Sequence, residues 1–103
     1  MAETHHQRIH TAPVVLDIGE HTGTLVIYTR ADRCGTEIEV SPRHDDIRRV
    51  HTDVAERRFN GRSMFAAVFL PFPAGDYTIW GPDPQHPTAI TIVSGAVTEL
   101  DWR

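Results

Sequence analysis

The chain has 103 residues, 40% of them hydrophobic and 23% charged, with a formal net charge of −4 and arginine as its only strongly basic residue type. That is one domain's worth of chain with ordinary core-forming content, too short for several βαβ units plus a substrate domain. The negative charge argues against a general nucleic-acid binder, which needs a cationic footprint, and a lone cysteine, Cys34, rules out a disulfide within the chain.

Residues 1–12 are polar and patternless and read as a mobile, His-rich tail ahead of a domain over 13–103. Pro13 marks the boundary. Val14, Leu16 and Ile18 alternate with Val15 and Asp17, the period of a strand. After GEHTG, the run Thr24 to Thr29 (TLVIYT) is β-branched and aromatic with apolar residues on both faces, as in a central strand. RADRCGT is a polar loop. In Thr36 to Val40, Ile38 and Val40 face one way and Glu37 and Glu39 the other. Beyond SPRHDD, Arg49 to Phe59 reads as one alternating run, with Val50, Thr52 and Val54 on one face.

Asn60-Gly61 then sits between two extended runs. Both residues tolerate positive φ, so the pair predicts a hairpin through a type I′ turn. Ser63 to Leu70 (SMFAAVFL) is apolar on both faces and fits a central strand, with a short helix as its alternative. PFPAGD is a turn, Asp76 to Trp80 a strand, and GPDPQHP a proline-rich loop. Thr88 to Val93 and Ala96 to Trp102 are strands joined by Ser94-Gly95, with Thr98, Leu100 and Trp102 on one face of the last. Seven or eight mostly antiparallel strands and no convincing helix predict an all-β sandwich.

The segment VVLDIGEHTG resembles the first glycine loop of methyltransferases. A loop of that kind needs a helix N-terminus after it. TLVIYT follows instead, so the expectation is a tight turn whose two glycines take positive φ.

From Leu70 onward a different likeness appears. Pro73, Gly75 and Tyr77, then Thr91, Val93, Gly95 and Thr98, resemble the C-terminal half of prealbumin-like domains. These are the transthyretin-like and carboxypeptidase regulatory-like sandwiches. The likeness covers about a third of the chain. It implies that Gly75 makes a turn, that Tyr77 packs under the sheet edge and that Gly95 closes the last hairpin. It implies a binding, spacing or assembly role and carries over no catalytic residue. The whole chain also resembles small stand-alone actinobacterial proteins without an established role.

Candidate chemistry is sparse. His5, His6 and His10 form H-H-x-x-x-H. If helical, His6 and His10 would share a face and suit Zn²⁺, Cu²⁺ or Ni²⁺; a solvated tail is the plainer reading. His21, His44, His51 and His86 fall mostly in loops, and a sandwich gathers loops at its two ends. Asp45-Asp46 beside His44 reads as a solvated turn. Glu37 and Glu39 facing Arg49, His51, Asp53 and Arg57 would make a cross-strand charge ladder if those strands pair. Cys34 beside Arg33 reads as an incidental loop thiol, since nothing in the spacing supplies a base.

The leading expectation is therefore a non-enzymatic binding or assembly module. Its partner surface would be the apolar strand and nearby aromatics, represented by Met64, Phe65, Phe69 and Trp80. A homodimer is expected, with an unidentified protein partner and no nucleic acid. A transition-metal protein using the N-terminal histidines is the second reading and a small hydrolase the third. No signal-peptide core precedes the domain and no run of 18 apolar residues exists, so a cytoplasmic location without a membrane span is expected.

Overall fold

The computed structural model describes residues 6–10, 21–81, 85 and 87–103, with the backbone alone for 6–10 and 59. Among the described residues, nine strands form two sheets. They are β1 His6–His10, β2 Thr22–Thr29, β3 Glu37–Pro42, β4 Val50–Asp53, β5 Ala55–Phe59, β6 Arg62–Pro73, β7 Gly75–Ile79, β8 Thr88–Ile92 and β9 Val97–Asp101. One sheet has the order β1-β9-β2-β6-β5 and the other β4-β3-β7-β8. Every neighbouring pair is antiparallel except β2 and β9, which run parallel. The all-β sandwich predicted from strand spacing is the fold.

Two features depart from the expected strands. Residues 6–10, in the stretch read as a tail, form β1, an edge strand in register with β9, His6 opposite Asp101 and His10 opposite Val97. Arg49 to Phe59, read as one run, is two strands in different sheets. β4 pairs with β3, β5 pairs with β6, and the chain changes sheet at Val54. The corner is held by the backbone: Val54 N–H donates to the Thr36 carbonyl at 2.9 Å and Gly35 N–H to the Val54 carbonyl at 2.8 Å. Val54 is 2% exposed. Strands that switch sheets make corners of this kind without any turn residue to announce them.

The core lies between the sheets. Leu25 and Ile27 from β2, Val40 from β3, Ile79 from β7 and Leu100 from β9 are fully buried. Phe69, Phe72 and Tyr77 add an aromatic chain, with ring centroids 5.3 Å apart for the first pair and 4.6 Å for the second. Such tilted pairs suit aromatic quadrupoles. Two polar groups at the core are hydrogen-bonded: the Tyr77 hydroxyl donates to the Pro73 carbonyl at 2.8 Å and Thr98 to the Thr91 carbonyl at 3.4 Å. TLVIYT is central, flanked by β6 and β9, and SMFAAVFL is central between β2 and β5. β6 runs on through Pro71 because the β2–β6 register shifts there, between Gly23 and Leu25. At such a bulge proline's missing N–H breaks no ladder bond.

The Asn60-Gly61 turn has both residues at positive φ, 51° and 77°, as a type I′ hairpin requires. Gly23 departs from expectation. It is a buried residue inside β2, and among the described residues of this stretch it is His21 that takes a positive φ, 64°. Glycine is needed at 23 for proximity: an added Cβ would lie 2.4 Å from the Val93 carbonyl oxygen and 2.9 Å from that of Ala96. Residues 93–96 dock there, with Gly95 N–H on the Thr22 carbonyl and Thr24 N–H on that of Ala96. A strand, not a helix, contains Gly23, so no helix N-terminus opens at this glycine. Residues 14–20 lie outside the described residues.

Candidate functional site

At one end of the sandwich, the C-terminal ends of β2, β7 and β9 meet the start of β3 and the 3₁₀ turn Ala31–Arg33. Between them is a cleft of about 420 Å³. Its apolar wall is Ile38, Val54, Trp80 and Trp102, and its charged rim is Arg30, Arg33, Glu37, Glu39, Arg49 and Arg103. The chain has two tryptophans and both line this cleft.

Each element delivers its side chain by simple alternation. Ile79 points inward, so Trp80 points outward, its backbone N–H on the Glu39 carbonyl at 2.8 Å. The Trp80 indole N–H donates to the buried Ser41 hydroxyl at 2.9 Å. The Arg49 guanidinium lies 4.1 Å from the centre of the Trp80 ring. Arg49 is itself pinned, its Nε donating to the Asp46 carbonyl at 2.8 Å and its Nη1 to Glu39 Oε1 at 3.0 Å. Trp80 therefore has a set orientation, with a cation–π contact on its ring. Trp102 follows Leu100 on the inward face of β9 and packs half-buried against the core. Its backbone N–H donates to the Tyr28 carbonyl at 2.8 Å, extending the parallel β2–β9 ladder into the cleft.

The rim charges are mostly paired. Arg30 reaches Asp32 at 2.7 Å, and that bond is the main reason the Asp32 carboxyl is held below its usual range. Arg103 makes a two-point contact with Asp101 at 2.8 and 2.9 Å and lies over the Tyr28 ring at 5.1 Å. The Asp101 hydrogen bond chiefly raises the Arg103 pKa further. Arg33 differs. Among the described residues no hydrogen bond or ion pair engages its guanidinium, and it contributes only a weaker attraction to Asp32. Its backbone carbonyl is fixed by the N–H and hydroxyl of Thr36.

The anticipated charge ladder is present where β3 and β4 pair, but without Arg57, which the sheet change at Val54 carries to β5, opposite Met64 in the other sheet. Glu37 stands opposite Asp53 and Glu39 opposite His51. His51 Nδ1 lies 3.5 Å from Glu37, and one donor atom each from Glu37, His51 and Asp53 fall within 4.8 Å of one another. All three are exposed.

The residues singled out from sequence are dispersed. Phe69 is a core residue at 6% exposure and Phe65 packs against the core, whereas Met64 is half-buried on the opposite face of β6. Trp80 is in the cleft. The four do not form one surface. His5 lies outside the described residues, and so do the side chains of His6 and His10. The backbone at His6 and His10 is a strand, so the helical spacing that would put them one turn apart does not apply. Cys34 is an exposed free thiol. Trp102 and the arginines of the cleft went unread as a group; the one signal for them was that loops gather at the ends of a sandwich. No protein family, curated protein or solved structure matches this chain.

Proposed function

We propose that the chain is a non-enzymatic binding module of the prealbumin-like type, and that its ligand is a small molecule held in the cleft. The observation that carries this is the convergence of Trp80 and Trp102 with Arg30, Arg33, Arg49 and Arg103 on one concavity of about 420 Å³. Small-molecule sites are concave and mostly apolar, with a few placed polar groups and volumes of roughly 300–1,000 Å³. Guanidinium groups stay protonated throughout the physiological range, so this wall suits holding a ligand more than moving protons. The prealbumin-like assignment draws support from Tyr77, buried with its hydroxyl on the Pro73 carbonyl, and from Gly75 and Gly95, both at positive φ. An exposed free thiol suits a reducing cytoplasm. The outward face of β6, with Leu70 at 52% exposure, is where a homodimer contact is proposed.

The test is amide NMR of labelled protein during a screen of small organic molecules. Binders that move Thr36, Gly81 and the two indole N–H signals together support the cleft. Binders that move only the Met64–Leu70 face sink it and return the search to that surface.

A metal-binding reading has one observation in its favour, the Glu37, His51 and Asp53 donors within 4.8 Å. Imidazole with carboxylates suits Zn²⁺ or Ni²⁺. Elemental mass spectrometry after exhaustive dialysis decides it. Near-stoichiometric metal lost in His51→Ala supports the cluster, loss in His6→Ala or His10→Ala assigns the metal to β1, and none removes the reading.

A further inference from the structure

We propose that the ligand of this cleft is a small organic monocarboxylate whose apolar body lies against Trp80 and Trp102 and whose carboxylate is taken by Arg33. The inference rests on the cleft being the binding site and adds the chemical class of its occupant.

Charge is the first argument. The protein carries a net charge of −4, yet four guanidinium groups and only two carboxylates line the cleft. With Asp32 and Asp101, which hold two of these guanidinium groups, the rim charges balance, in contrast to the negative molecule as a whole, so an anion meets less repulsion here than over the rest of the surface. The number of uncommitted charges narrows this further. Asp32 holds Arg30, Glu39 holds Arg49 and Asp101 holds Arg103, leaving Arg33 as the rim guanidinium without such a partner among the described residues. One available fork matches one carboxylate in two-point geometry. A polyphosphate or nucleic-acid backbone needs several open cations and would meet a net-negative surface beyond the rim.

Shape gives the body. Trp80 is locked by Ser41 and Arg49, so its surface is set before any ligand arrives and little ordering accompanies binding. Ile38 and Val54, both nearly fully buried, complete an apolar wall beside it. A purely polar anion would leave that wall wet. A cleft of about 420 Å³ sits at the small end of ligand sites, which fits a compact acid rather than a folded partner.

The experiment uses the full chain. Its fluorescence comes from two tryptophans, both in the cleft, so quenching reads this site without an indole elsewhere. The probes are 4-tert-butylbenzoate, the matching benzamide and the matching benzylamine, titrated by fluorescence and calorimetry. The expected result is the carboxylate binding about tenfold tighter than the amide, as one charge-assisted hydrogen bond implies. Arg33→Gln, a substitution at an exposed position, should erase that preference while leaving amide binding in place. Carboxylate and amide binding alike would overturn the assignment of an anion yet leave the cleft as a binding site. Tighter binding of the amine, or a preference unchanged in Arg33→Gln, would overturn it too. Failure of all three probes to bind or quench would remove both the inference and the cleft reading.

Discussion

Within β2, Leu25 and Ile27 have no exposed surface and are packed between the two sheets. One residue beyond the strand, Arg30 is exposed and its guanidinium is held by the Asp32 carboxylate. The interior of β2 and the rim of the cleft are thus contiguous in sequence and opposite in energetics. Apolar burial contributes about 25 cal/mol per Å² and tolerates no missing methyl groups. An exposed ion pair contributes little and tolerates replacement. Stability and recognition are therefore separable in this molecule, and substitutions should divide accordingly.

The sharpest break should come from Ile27→Ala. A fully buried isoleucine at the centre of the five-stranded sheet is expected to cost about 2–5 kcal/mol in urea denaturation, with cleft ligand affinity unchanged in the protein that remains folded. Gly23→Ala should follow, at about 1–3 kcal/mol or more, because its Cβ meets backbone oxygens that cannot swing aside. Gly61→Ala is its control. Nothing lies within 4 Å, only the positive φ resists, and about 1 kcal/mol is expected.

Tyr77→Phe should cost about 1 kcal/mol through the lost bond to Pro73. It should also change the alkaline limb. Burial raises the Tyr77 phenol above its ordinary value of 10.0, so the native state holds this proton longer than the unfolded chain. Its contribution is complete below about pH 10 and is lost as pH rises through the native value. Denaturation midpoints of the parent protein should fall over that range, and those of Tyr77→Phe should fall less. The smallest stability effect is expected for Arg33→Gln, within about 0.5 kcal/mol, although its effect on carboxylate binding is the largest of the series. A large loss of stability there would show that rim and core are not independent.

The same division explains what could be read in advance. TLVIYT and the alternation from Glu37 to Val40 are local patterns, and so is Asn60-Gly61, where the two residues themselves demand the turn. Each was legible because its cause lies within a few residues. The corner at Val54 was not, since its cause is pairing to two different sheets and no glycine or proline marks it. Gly23 looked like a turn glycine because the carbonyls that forbid a side chain belong to residues 93 and 96. The cleft was least legible. Its walls come from separate stretches of chain whose meeting depends on sheet order; Trp80 reads from sequence as an interface aromatic and Glu37, Glu39 and Arg49 as a charge ladder, with nothing local to join them. Charge counting over the whole chain also hid it, because a net-negative total conceals an arginine-rich corner.

The parallel pairing of β2 with β9 has a consequence for the growing chain. Tyr28 is among the first described residues to be made, yet its hydroxyl partner Glu99 is 71 positions later. At about 5–20 residues per second, that is roughly 4–14 s of synthesis. Throughout that interval one long edge of TLVIYT has every backbone donor and acceptor open and no charged residue to discourage a neighbour. Two nascent chains on one messenger offer each other the same edge. Slower synthesis of the stretch up to residue 101 therefore prolongs the exposure of this edge, whatever the stability of the finished sheet.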